Sequence, residues 1–176
     1  MKDAARRILY IIAPERFRDE ELAEPRRALE AAGHHVTIAS TRAGEATGML
    51  GARIRPDATI AMVSGDDFDC LAIAGGAGAP QHLWDSAPLA ALVALGYAAG
   101  KTLAAICLAP PVLARAGVLA GRRATTFPSA RALIELRRGG ATYVRESVVR
   151  DGTILTASGP EASEAFGAAL VQLVES

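Results

Sequence analysis

Short apolar runs alternate with amphipathic segments that stop at glycine along most of this chain, and that rhythm admits few folds. Residues 8–13 are continuously apolar, as a strand buried on both faces must be. Residues 17–32 carry charge on one face and Leu22 and Leu29 on the other, and Gly33 ends them like a helix. The pattern repeats with strands at 36–40, 69–74 and 102–106 and helices at 88–99 and 110–116. A strand at 124–127 and a helix at 129–138 follow, and residues 148–150 and 153–157 flank an Asp-Gly turn. Residues 160–174 read as a closing helix with Pro in its first turn, and 45–64 as irregular β-structure or a hairpin. Strands joined by helical crossovers predict an α/β fold. The expected architecture is a mostly parallel central sheet with helices on both faces, in one domain spanning 1–176.

Charge removes several functions. Lys+Arg and Asp+Glu are both 19, so the basic excess of a nucleic-acid binder is missing. The charged stretches 16–30 and 131–138 read as solvated helix faces. No apolar run approaches the ~18 residues of a membrane span, and no secretory leader is visible, so the expectation is a soluble, cytoplasmic protein without a membrane partner. Two cysteines and three histidines show no zinc-type spacing, and no cofactor motif stands out, so neither a metal nor a cofactor is expected.

Cys107 carries the chemical interest. It stands where an apolar strand runs directly into a helix opened by Pro110 and Pro111. That junction is the strand–turn–helix context that lifts a nucleophile to a sheet's edge. Amides at a helix start favour a thiolate and can hold an oxyanion. An inert, buried thiol fits the local pattern equally well. Cys70, inside a strand, reads as core packing. The Gly75-Gly76-Ala77-Gly78 turn follows another strand's carboxyl end, as a tight turn or as an amide donor to an anion.

Together these segments resemble the ThiJ/PfpI superfamily, with its class I glutamine amidotransferase-like, flavodoxin-like three-layer sandwich. That family holds the Parkinsonism-associated deglycase and redox protein and the PfpI intracellular protease. The resemblance rests on Glu21-Leu-Ala-Glu-Pro25, on 69–76, on Ala105-Ile-Cys107-Leu-Ala-Pro110, on Ala116-Gly-Val-Leu-Ala-Gly121 and on 151–160. It implies that Cys107 is the reactive elbow cysteine and Glu21 the carboxylate beside it. It implies the amides of Gly76 and Leu108 as oxyanion-hole donors, and a homodimer or larger assembly. Trp84 and Tyr97 are candidates for packing in such an interface.

The chain departs from the family at both usual histidine positions. One branch has His directly after the cysteine, where this chain has Leu108; another has His in a Thr-Thr-His-Pro run, where this chain has Phe127. His34 and His35 are expected at the sheet's amino end as surface or edge residues, and His82, on the carboxyl side, is the possible accessory. Peptide hydrolysis, which must protonate a poor leaving group, is disfavoured. The expected function is a cysteine-dependent hydrolase- or lyase-type enzyme, glyoxalase/deglycase- or amidase-like, acting on a small-molecule electrophile such as a reactive aldehyde or its adduct. The alternative is a non-catalytic stress or redox sensor in which the same cysteine is oxidised.

Overall fold

The computed structural model describes residues 4–176; residues 1–3 of the expected domain lie outside the described residues. In chain order the elements begin with β1 (Arg7–Ile11), β2 (Glu15–Phe17), α1 (Asp19–Ala31), β3 (His35–Ser40), β4 (Ala46–Gly48), β5 (Arg53–Ile54) and β6 (Ala58–Thr59). They continue with β7 (Cys70–Ile73), α2 (Ala79–His82), α3 (Ala87–Ala98), β8 (Thr102–Ile106), α4 (Pro110–Arg115) and β9 (Arg123–Ala124). They close with α5 (Ala130–Arg138), β10 (Thr142–Tyr143), β11 (Val148–Asp151), β12 (Ile154–Ala157) and α6 (Ser163–Glu175).

Seven strands form the main sheet in the order β11-β12-β8-β7-β1-β3-β6. Every neighbouring pair is parallel except β11–β12, which closes one edge as an antiparallel hairpin. The apolar runs explain the central strands: residues 8–11, 70–73 and 103–106 are all buried. The chain steps one way from β1 to β3 and the opposite way from β7 to β8. Right-handed crossovers therefore send α1 and α3 to opposite faces. The switch point lies between β1 and β7, and ligands bind outside the carboxyl ends of strands at such a point.

On one face α1 packs against α6. The contact is close because Gly167 meets Pro25, and a Cβ on Gly167 would fall 2.9 Å from Pro25 Cα. Phe166 and Leu170 fill the space beneath α6. On the other face α3 packs on β7, β8 and α4. Among the described residues no helix is long and apolar enough to cross a membrane.

Several expectations need correction. Phe17 does not open the first helix; it sits buried in β2, paired with β4, and α1 begins at Asp19. The 45–64 segment, by contrast, is the expected irregular β-structure with a hairpin: the antiparallel β4–β5 pair, the edge strand β6 and a 3₁₀ turn over Ile60–Met62. The 124–127 strand shrinks to β9, and Phe127 is 44% exposed. The closing helix starts as a 3₁₀ turn, Pro160–Ala162. His34 is not a surface residue: it is 5% exposed, its Nδ1 accepts the Arg6 N–H at 3.2 Å, and its Nε2 faces Glu175. Trp84 is 4% exposed, so its ring packs inside this chain.

Candidate active site

Cys107 directly follows β8 and adopts φ 63°, the left-handed region that costs a non-glycine residue about 1–3 kcal/mol. Three backbone interactions hold that conformation. Cys107 N–H donates to Ala157 O at 2.9 Å. Its carbonyl accepts the Phe127 N–H at 2.9 Å and the Thr126 hydroxyl at 2.7 Å. The Thr-Thr-Phe-Pro run thus pins the elbow from behind, although Phe127 supplies no imidazole.

Glu21 lies in the first turn of α1 and is fully buried. Its Oε2 accepts the Gly75 N–H at 2.7 Å, which leaves Oε1 buried without a hydrogen-bond partner among the described residues, in a carboxyl that the Cys107 thiol influences. Burial is the dominant influence on this carboxyl and raises it to about 8, against smaller lowering effects from Cys107, Gly75 and Arg18. It is therefore mostly protonated at neutral pH. Burial also pushes the Cys107 thiol well up, and the Glu21 charge and hydrogen bond add to this. The Gly76 and Leu108 amides pull it the other way. The two groups compete for one negative charge in a dry site, so their titrations belong to the pair. With Glu21 neutral, its repulsion disappears and its O–H is available to the sulfur. Cys70 is 0% exposed and has no such partners among the described residues, and burial raises its thiol strongly.

The spacing of Glu21 and Pro25 now has a physical reason. In a helix the N–H of residue i+4 bonds the carbonyl of residue i, and proline has none to give. The Glu21 carbonyl instead accepts the buried Tyr10 hydroxyl at 2.5 Å. That bond ties the start of α1 to β1 and fixes the backbone from which Glu21 reaches Cys107. Tyr10→Phe leaves a buried carbonyl unpaired and is expected to cost about 1–3 kcal/mol, measured as a shift of the urea midpoint at unchanged slope.

The glycine turn is built by close approach. Gly76 has φ 101°, and a Cβ there would fall 2.4 Å from Arg18 N. A Cβ on Gly75 would fall 2.6 Å from Leu108 N. The two amides reaching Cys107 are thereby brought together from separate crossovers. Trp84 adds a support that sequence reasoning missed: its Nε1–H donates to Leu108 O at 2.7 Å. The Arg115 and Arg131 guanidiniums lie 5.4 and 5.2 Å from the indole ring centre. The structure places His82 on α2 with Nε2 3.2 Å from Glu15 Oε1, and no hydrogen bond among the described residues joins it to Cys107. A cavity of about 440 Å³, lined by Phe127, Pro128, Tyr143, Arg145 and Pro160 among others, opens on the Phe127 side of the elbow. Among the described residues no cluster of His, Cys, Asp and Glu is arranged for a metal.

Comparison with known proteins shows the family and the fold. Residues 6–173 match the model of the DJ-1/PfpI family. A deglycase of Pyrococcus horikoshii is 32% identical over 169 residues, covering 96% of this chain and 99% of that one. General stress protein 18 of Bacillus subtilis is 33% identical over 162 residues, covering 90% and 92%. The crystal structure of a ThiJ/PfpI domain protein from Brachyspira murdochii superposes with a TM-score of 0.90 at 32% identity, covering 97% of this chain and 96% of that one.

Proposed function

Because the chain belongs to the DJ-1/PfpI family, we propose that it is a cysteine-dependent enzyme acting on small electrophiles, with 2-oxoaldehydes or their adducts as substrates. The observation that carries this reading is the pairing of a left-handed Cys107 with the buried Glu21 carboxyl under two converging amides. The attacking form of the pair carries its one negative charge on sulfur and a proton on Glu21; this thiolate attacks the aldehyde carbon and a C–S bond forms. The carbonyl pair moves to oxygen, where the Gly76 and Leu108 amides receive the charge. Glu21 supplies the proton that completes the thiohemiacetal.

Glu21, now a carboxylate, then carries the former aldehyde proton to the neighbouring carbonyl carbon through an enediol. Water releases the resulting thioester as a 2-hydroxy acid. The aldehyde carbon is oxidised and its neighbour reduced, so no outside oxidant or reductant is needed. No expelled amine has to be protonated, which suits a site with Leu108 and Phe127 at the histidine positions. The test is consumption of methylglyoxal by the purified protein with formation of lactate. Absence of lactate formation would overturn the reading.

A second reading draws on the same missing histidines. The elbow thiol would be a redox sensor, oxidised by peroxide to the sulfenic and then the sulfinic acid. Sulfinic acid at Cys107 alone, without lactate formation, would favour it. Equal oxidation of Cys70 would count against it. In either reading we place the protein as a homo-oligomer in the cytoplasm.

A further inference from the structure

Arg18 is the N-cap residue of α1, three residues ahead of Glu21. Its backbone N–H donates to Gly75 O at 3.1 Å, so its position is fixed against the turn that supplies the Gly76 amide. Its Nε and Nη2 donate to Glu20 at 2.8 and 3.0 Å. That grip sets the plane of the guanidinium and leaves Nη1 without a protein partner among the described residues. The side chain is 28% exposed. A Cβ on Gly76 would meet the Arg18 backbone N, and one on Gly75 would fall 2.8 Å from Cys107 Cβ, so Arg18 and Cys107 flank the same two-glycine turn, and the guanidinium charge acts on both the Cys107 sulfur and the Glu21 carboxyl.

A guanidinium held on one edge and open on the other suits a carboxylate. The geometry points to Arg18 as a specificity-determining residue that selects electrophiles bearing a carboxylate next to the reacting carbon, such as an aldehydic 2-oxo acid, over neutral aldehydes. This rests on Cys107 being the nucleophile. The sulfur pair forms the C–S bond at the aldehyde carbon, the carbonyl pair moves to oxygen, and Glu21 delivers the proton. The substrate carboxylate stays ion-paired with Arg18 throughout, and no co-reactant is consumed.

Two alkylating agents of nearly the same shape read the charge preference without turnover. Iodoacetate is an anion and iodoacetamide is neutral; each accepts the sulfur pair at its CH₂ and releases iodide. The ratio of their rates at Cys107, resolved by peptide mass spectrometry, cancels the thiolate fraction. The wild-type ratio is expected to exceed that of free glutathione by about 10-fold. Arg18→Gln should bring it down to the glutathione value, Arg18→Lys should retain part of it, and Glu20→Gln, which frees a second guanidinium edge, should raise it. A ratio unchanged in Arg18→Gln overturns the proposal, and so does a Cys107 that neither reagent labels. If the ratio follows Arg18 but methylglyoxal and glyoxylate are both left unconsumed, charge selection at the thiol holds and the catalytic reading fails.

Discussion

A Cys107→Ser protein is expected to fold normally and to lose methylglyoxal turnover by about 10³-fold or more. Serine reproduces the size of the side chain and accepts the same backbone conformation, so the bonds to Ala157, Thr126 and Phe127 should survive. What it cannot reproduce is the nucleophile. A hydroxyl needs a strong general base, and Glu21 is mostly protonated at neutral pH because it is buried. Cys70→Ser should retain turnover, because Cys70 lies inside β7, away from the glycine turn. That variant is expected to pay in stability, since its hydroxyl is buried among apolar neighbours. The pair of variants, assayed for lactate formation and melting temperature, separates chemistry from folding.

Glu21→Gln should divide two properties that the wild type combines. The glutamine carbonyl can accept the Gly75 N–H while its NH₂ donates to the sulfur, as the protonated carboxyl does. Alkylation of Cys107 at neutral pH should therefore stay within a few-fold of wild type. Turnover should fall by about 10²-fold, because an amide cannot carry the proton. Stability should change with the opposite sign. The Glu21 carboxyl titrates near 4.5 in the unfolded chain and at about 8 in the folded one. Between those values the folded state keeps a proton that the unfolded state has lost, so wild-type stability falls as pH rises and levels off above about 8. The loss is roughly 3–5 kcal/mol. Glu21→Gln removes this slope, and urea melts from pH 5 to 8.5 should show the variant gaining on wild type as pH rises.

The sheet could be read from the chain because its central strands are apolar on both faces. The expected 102–106 strand matches β8 residue for residue, and the junction after it is the elbow. The elements that escaped are those without a period of their own. β2 has three residues, and Phe17 is buried by pairing with β4, a long-range contact that no local pattern announces. His34 carries no local signal either; α6 and the backbone at Arg6 enclose it. Charge was misleading at 16–30, where one stretch holds both the solvated Arg27 and the fully buried Glu21. The Glu21–Pro25 spacing singled out Glu21 over its neighbours Asp19 and Glu20, and the structure buries Glu21 against Gly75, but the cause of that spacing needed Tyr10, which arrives from β1. Trp84 could be seen as unusual by type, whereas its bond to the Leu108 carbonyl is a product of folding.

The central claim is that Cys107 is a nucleophile whose protonation is set jointly with Glu21. The direct test is the rate of iodoacetamide labelling at each cysteine from pH 5 to 10, resolved by peptide mass spectrometry. Cys107 should react at least about 100-fold faster than the enclosed Cys70 at pH 7. Its profile should bend near pH 8, where Glu21 titrates, and the bend should vanish in Glu21→Gln. Labelling of Cys107 no faster than Cys70, or a profile that Glu21→Gln leaves unchanged, would contradict it.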